Sequence, residues 1–410
     1  MPASRLYYLL FAPPLLCGWR QGYGDSMRQQ DDLFGNRMTV SQAVEMSLDN
    51  LRAYGDRYPV WSIAYSGGKD SSATVAFVAW AVRMGKVAAP ERLIVLYADT
   101  RQELPPLHNT AMQVLARLRR DGFDARVVLP AMDKRFYVYM FGRGVPPPSN
   151  RFRWCTPGIK VQPMMDELQA IHGQYGHKIL SITGVRLGES AARDQRITAS
   201  CSRDSGECGQ GWFQVSASEA IADTLSPLLH WRVCNVYDWL YFMNKQHGYP
   251  EVAGIADVYG EDDIRTGCVG CNLASRDNAL ERVIQQPQWA HLSPLLELRL
   301  LFAELKRSRN RLRKAEPEIN KDGTYAKNGQ RMGPLTMEAR AYGLARVLDI
   351  QQRAGVDLIN ADEEARIREL WTLNTWPDGW DGDEIRADVL IAKINVVGSE
   401  LITQPILLRE

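Results

Sequence analysis

Apolar positions in the first part of this chain follow two alternating patterns. Short, mostly apolar runs at 60–65, 93–98, 125–130 and 178–182 have the length and texture of strands buried on both faces. Between them, apolar residues recur every three or four positions, as in Val40, Ala43, Val44, Met46 and Leu51, or Val75, Val78, Ala79 and Val82. That spacing predicts helices over 39–54, after residue 68 and over 107–120, the first with Ser41 as its N-cap. Strand and helix in alternation predict an α/β fold, a parallel twisted sheet flanked by helices with right-handed crossovers.

The last third reads differently. Ser293 and Pro294 have the form of an N-cap and first-turn proline for a helix to about 312, and Thr336 caps a helix with Leu344, Val347, Leu348 and Ile350 on one face. Asn360 and Glu363 form a capping-box pair for a helix ending near Trp371. From Trp376 onward we expect polar turns and a terminal helix. Residues 281–410 are thus expected to be a mostly helical C-terminal region. At the other end, Arg5 and the apolar residues after it partly resemble a signal peptide, but Pro13 and Pro14 interrupt them and no Ala-x-Ala site follows. Residues 1–38 are read as a leader or arm.

The chain is 45% apolar and 24% charged with a net charge of +1, the profile of a globular protein without a general attraction to nucleic acid. A nucleic-acid contact must therefore come from a local patch. The concentrated basic run is Lys306, Arg307, Arg309, Arg311, Arg313 and Lys314, continued by Lys321, Lys327 and Arg331, and it is the candidate for DNA phosphate. No apolar stretch approaches about 18 residues, so no membrane contact is expected and a cytoplasmic setting is. Seven cysteines, with Cys268 and Cys271 in a C-x-x-C pair, favour metal or redox chemistry over a disulfide framework.

The chemistry begins where the first apolar run ends, at Ser66-Gly67-Gly68-Lys69-Asp70-Ser71. Adjacent glycines between a strand and a helix let backbone N–H groups close on an anion at the positive end of the helix, so this loop is read as a phosphate grip. Asp99, Thr100 and Glu103 follow the second strand, at the carboxyl end where ligands gather. Arg151, Arg153 and Lys160 bracket Cys155, and nearby cations favour the thiolate, so Cys155 is the most reactive candidate; the alternative is a buried cysteine that acts as a small apolar residue. Gly184-Val185-Arg186 and Glu189 to Arg193 end another strand with arginine forks suited to phosphate. Cys268 and Cys271 could share a metal or cluster edge, and four such ligands are usual for zinc or iron–sulfur.

In this order the motifs resemble those of the ATP pyrophosphatase (PP-loop) and phosphoadenylyl-sulfate (PAPS) reductase superfamily. More narrowly, Arg-Trp-Cys-Thr around Cys155, Gly-x-Arg-x-x-Glu-Ser, Arg-x-Gly-Cys-x-x-Cys and Gly-Pro-x-Thr are similar to the DNA phosphorothioation sulfurtransferases of the Dnd C or Ssp D type. The resemblance implies an adenine nucleotide alpha hydrolase-like, Rossmann-like domain over 39–280. It implies ATP and Mg²⁺ held by Ser66, Gly67, Gly68, Lys69, Asp70, Ser71, Asp99, Thr100, Gly184, Arg186 and Glu189. Catalytic roles would fall to Lys69, Asp70, Cys155, Arg186 and Arg193, and a [4Fe-4S] cluster to Cys155, Cys208, Cys268 and Cys271, with Cys201 as substitute and zinc or a resting disulfide as alternatives. Implied partners are a cysteine desulfurase, further phosphorothioation subunits including an ATPase, and DNA, with self-association left open. Against this stand a sulfonucleotide reductase, a tRNA thiolase and an ATP-sensing scaffold without turnover.

Overall fold

Helix α1 (Val40–Gly55) opens on Thr39, whose hydroxyl accepts the Gln42 N–H at 3.2 Å while the Gln42 side chain accepts the Thr39 N–H at 2.8 Å. The cap is thus Thr39 and not Ser41: the helix starts at Val40, which leaves Ser41 inside the first turn. The computed structural model describes residues 38–189, 213–214, 220–260, 266–320, 322–326, 330–389, 392–397 and 400–405. Most of the expected leader, with Arg193, Cys201, Cys208, Lys321 and Lys327, lies outside them.

The described residues fall into two compact units, one within Met1–Ala98, Pro106–Val128 and Asp166–Asp263, the other within Asp99–Pro105, Leu129–Met165 and Ile264–Glu410. The first unit has the expected α/β form. Strands β1 (Val60–Tyr65), β2 (Arg92–Ala98), β3 (Asp124–Val128), β4 (Ile179–Ile182), β5 (Phe213–Gln214) and β6 (Ala222–Leu225) form one sheet in the order β3-β2-β1-β4-β6-β5. Every pairing is parallel except that of the edge strand β5, which runs antiparallel to β6, so the sheet is mixed though mostly parallel. Helix α2 (Lys69–Arg83) links β1 to β2, α3 (Pro105–Arg120) precedes β3 and α4 (Gln162–Tyr175) precedes β4.

Strand order places the site. The chain adds β2 and β3 on one side of β1 and then returns to lay β4 on the other, so β1 stands where the direction of winding reverses. At such a switch point the loops leaving neighbouring strands diverge and open a crevice at the carboxyl ends. Helix α2 is anchored beneath: Val75, Ala76, Phe77, Val78 and Ala79 are fully buried, and Phe77 meets the rings of Trp231 and Trp239 edge-on at 5.6 and 5.4 Å.

Beside those rings, His247 is fully buried, with Nε2 3.1 Å from the Trp239 carbonyl and Nδ1 accepting the Tyr249 N–H at 3.2 Å. Burial, with the Arg83 guanidinium nearby, lowers its pKa to about 4. The unfolded chain therefore takes up a proton near pH 6.5 that the folded one refuses. Full stability is kept above about 6.5 and about 2 kcal/mol is lost by pH 5, with the loss levelling off below about 4. Urea midpoints at neutral and mildly acid pH should show His247→Gln less acid-sensitive than the natural chain; equal sensitivity would refute the assignment.

The second unit is dominated by helices α5 (Glu297–Leu305), α6 (Met337–Ala354) and α7 (Ala361–Thr372). The caps expected at Thr336 and at Asn360 with Glu363 are present. The single helix expected over 293–312 is instead a 3-10 stretch, Pro287–Leu296, followed by α5 and then by strand β7 (Arg311–Arg313), which pairs with β8 (Met332–Leu335) and β9 (Ile385–Arg386). No terminal helix is found among the described residues: β10 (Ala392–Val397) and β11 (Glu400–Pro405) pair antiparallel. Arg340 is fully buried on α6, donates to the Gly142 and Thr375 carbonyls at 3.1 Å each, and stacks on Trp376 with 3.7 Å to the ring centroid.

Candidate active site

In the first unit the loop after β1 turns at Gly67, whose φ of +73° is the left-handed region that only glycine enters without strain. Gly68 then caps α2 in an extended conformation with no side chain to fill the helix end, and the opening turn of a helix has N–H groups its own ladder does not use. Serines brace the turn. Ser71 Oγ accepts the Ser66 N–H at 3.2 Å, donates to the Gly68 carbonyl at 3.1 Å and lies 3.0 Å from Ser66 Oγ. An anion at this end would meet backbone dipoles already held in place.

Charge is arranged around the same turn. Lys69 is almost wholly buried, its Nζ 3.4 Å from Asp70 Oδ2 and 5.0 Å from the centre of the Tyr259 ring. Arg186, also buried, donates from Nε to Asp70 Oδ1 in a close ion pair and from Nη1 to the Trp231 carbonyl at 3.2 Å. Gly184 lets these parts meet: a Cβ there would lie 2.9 Å from the backbone of Asp70 and Ser71. The fold brings together Ser66 to Ser71, Gly184 and Arg186, which the sequence resemblance grouped. The supporting Trp231 carbonyl and Tyr259 ring were not assigned roles from sequence, because only the tertiary fold brings them to the loop.

Asp99, Thr100 and Glu103 belong to the second unit and bond locally. Asp99 Oδ1 accepts the Arg101 N–H at 2.9 Å, and Glu103 Oε1 accepts from the Thr100 hydroxyl at 2.6 Å and its N–H at 3.3 Å. Burial pushes the Glu103 carboxyl above its ordinary pKa.

The same unit gathers three free thiols, Cys155, Cys268 and Cys271. Cys155 heads the π-helical turn Thr156–Val161, and Cys268 and Cys271 close a turn through a 3.0 Å backbone hydrogen bond. Val269 N–H donates to the Gln102 carbonyl at 2.7 Å, and Arg299 donates to the Cys271 carbonyl. Burial, with Glu103 and Cys271 close by and Lys160 partly offsetting them, pushes Cys268 up to about 12, although the residue keeps solvent-accessible surface.

The expectation of a Cys155 thiolate is corrected. Desolvation raises this half-buried thiol more than the hydrogen bonds of Thr156 lower it. Its sequence neighbours point elsewhere: Arg153 donates to Asn150 Oδ1 at 2.8 Å, and Lys160 acts on Cys268. Among the described residues no three His, Cys, Asp or Glu side chains are set to hold a metal ion. Asp70 is engaged by Arg186 and Lys69 as well, so these residues as they stand fit neither a cluster nor a preformed magnesium site.

Four cations of the basic run at 306–331 have acidic partners. Arg307 and Arg309 pair with Glu304 at 3.1 and 2.5 Å, Arg331 with Glu318 at 2.5 Å and Lys314 with Glu384 at 2.6 Å. Arg311 is buried against the Gly333 carbonyl, and burial lowers its pKa to about 10.

Residues 61–249 match the family model of the phosphoadenosine phosphosulfate reductase domain. The reductase-like match begins within β1, takes in the glycine loop, Gly184 and Arg186, and ends before Cys268 and Cys271. No curated protein matches the chain. Similar solved structures include a PAPS reductase from Candida auris in a phosphate complex (12% identity, 52% of this chain and 88% of that one, TM-score 0.32). Another is an FMN adenylyltransferase from Candida glabrata with FMN and the ATP analogue AMPCPP (14%, 50% and 58%, TM-score 0.31). A third is the U34-tRNA thiolase NcsA from Methanococcus maripaludis with its [4Fe-4S] cluster (13%, 60% and 89%, TM-score 0.32). At these identities and scores the likenesses say nothing of substrate. No helix among the described residues is long and apolar enough to cross a membrane.

Proposed function

We propose that the chain is an ATP pyrophosphatase and sulfurtransferase acting on DNA, the sulfur-inserting component of a bacterial phosphorothioation system of anti-phage defence. The observation that carries this reading is the Arg186–Asp70 pair at the glycine-capped start of α2. There the loop amides and Lys69 would hold the β and γ phosphates of ATP, while Arg186 meets charge growing on the α-phosphate. A non-bridging oxygen of a DNA phosphate attacks the α-phosphorus and pyrophosphate leaves. The terminal sulfur of a Cys155 persulfide then attacks the activated DNA phosphorus, and AMP leaves with the oxygen. The thiol of Cys268 or Cys271 takes over the bond to the Cys155 sulfur as a disulfide, freeing the phosphorothioate, and a cellular dithiol reduces that disulfide between turnovers. Magnesium would come with the nucleotide, held mainly by phosphate oxygens.

Sulfur would arrive as a persulfide from a cysteine desulfurase. Cys155 is the receiving thiol in this reading, with Cys268 and Cys271 beside it. Other subunits of the system, among them an ATPase, would present the DNA in the cytoplasm. In this reading the nucleotide chemistry belongs to 39–280 and the helical region 281–410 supports it. Arg193 and Glu189 would add phosphate contacts. The described thiols do not by themselves hold a metal, and a [4Fe-4S] cluster or zinc would need Cys208, or Cys201 in its place, together with a rearrangement of Cys155, Cys268 and Cys271.

A second reading, a sulfonucleotide reductase, is favoured by the family match at 61–249. Mass spectrometry of nuclease-resistant dinucleotides, from cells carrying this chain with its partner genes, separates the two. Phosphorothioates should be present with the natural chain and absent with Cys155→Ser. Their absence from the natural chain removes DNA as substrate and returns sulfonucleotides to first place; their persistence in the variant removes Cys155 as receiver.

A further inference from the structure

Exposed cations without acidic partners occur together in one short stretch of the second unit. Ser149 and Phe152 exchange backbone hydrogen bonds of 3.1 and 3.0 Å, closing a tight turn with Asn150 and Arg151 at its tip. The turn is pinned from behind: Trp154 donates to the Pro146 carbonyl at 2.9 Å, stacks on Phe136 at 5.2 Å and meets Tyr139 at 4.9 Å. With Trp154 committed inward, Arg151, Phe152 and Arg153 are exposed, and so is Lys160 on the π-helical turn after Cys155.

Among the described residues none of these three cations has a carboxylate partner, whereas Arg307, Arg309, Lys314 and Arg331 of the longer basic run pair with Glu304, Glu384 and Glu318. Phe152 keeps 49% of its surface exposed, an unusual position for an aromatic ring between two arginines. Cations that track phosphates, with an aromatic face on which an unpaired base can stack, are how single-stranded nucleic acid is held without sequence readout.

We infer that Arg151, Phe152, Arg153 and Lys160 form the docking surface for a single strand of DNA and lead its backbone past Cys155. This rests on the proposed DNA chemistry for the choice of strand, but it concerns binding alone and needs neither ATP nor sulfur.

The test is fluorescence anisotropy of the full chain with a labelled single-stranded DNA oligonucleotide, without nucleotide, across a salt series. Arg151→Gln with Arg153→Gln should weaken binding about tenfold or more and reduce the salt slope by about 1.4, at about 0.7 per phosphate contact on a single strand. Phe152→Ala should weaken the single strand while leaving a duplex of the same sequence unaffected. Arg309→Gln with Arg331→Gln should change neither, and circular dichroism should show all variants folded, since every altered side chain is exposed or at the surface. Unchanged affinity in the 151/153 variant, a larger loss in the 309/331 variant, or binding of single-stranded RNA but not DNA would each overturn the inference. Binding that behaves as expected while phosphorothioates never form would sink the proposed chemistry and leave this surface standing.

Discussion

Lys69→Met should cut ATP-dependent pyrophosphate release by about a hundredfold to a thousandfold, the usual cost of removing one preorganised charge from a transition state. The lysine is buried, yet its ammonium is engaged by Asp70 at 3.4 Å and by the face of Tyr259 at 5.0 Å, so the fold has paired it in place before any nucleotide binds. Methionine keeps the stem and its packing while deleting the charge, so the thermal midpoint should move by only a few degrees. Lys69→Arg keeps the charge but brings a planar fork where a compact ammonium sits, and should recover only part of the rate. Stopped-time pyrophosphate assays with single-stranded DNA as acceptor would measure this. Release within a few-fold of the natural chain, in a folded Lys69→Met protein, would remove Lys69 from the chemistry.

Gly184→Ala should be nearly as damaging for a different reason. Its added methyl would lie 2.9 Å from the Asp70 carbonyl carbon and from Ser71 Cα and N, which are backbone atoms that cannot swing aside. The first turn of α2 or the end of β4 has to give way, at about 1–3 kcal/mol for an overpacked site. Since the same turn would supply the phosphate amides in the proposed function, ATP affinity should fall about tenfold or more alongside that loss. Gly173→Ala, in the interior of α4 with nothing within 4 Å of the new methyl, should instead stabilise by about 0.5–1 kcal/mol and leave ATP affinity alone. Calorimetric titration with a non-hydrolysable ATP analogue and parallel melts would separate the two, and equal affinities for Gly184→Ala and the natural chain would defeat the argument.

The glycine loop between β1 and α2 was legible in the sequence because strand, paired glycines and helix are consecutive, so periodicity alone sets their order in space. Thr336 and the Asn360 and Glu363 pair were legible for the same reason, since a cap acts over three residues. The electrostatics of Cys155 were not. Adjacent cations in sequence suggested a thiolate, but burial raises the thiol and Lys160 acts on Cys268 instead. The ion pairs of the basic run at 306–331 were partly legible: Glu304 and Glu318 lie beside or within it, and only Glu384 is distant and brought in by the fold. The expected terminal helix failed on local grounds as well. Ile394, Val396 and Val397 in β10, with Ile402 and Thr403 in β11, are β-branched, and such side chains favour the pleated form.

The division of the chain into two units has a consequence for how it is made. Synthesis delivers residues in order, yet the second unit draws on Asp99–Pro105 and Leu129–Met165 as well as on everything described after Ile264. Its early segments, Cys155 among them, must emerge and wait until α6 and α7 have left the ribosome. The first unit can settle as soon as its last segment, ending at Asp263, is free. A nascent chain halted between those points would hold a finished α/β fold with the Cys155 thiol still unhoused, the stage at which oxidation or a chaperone would find it.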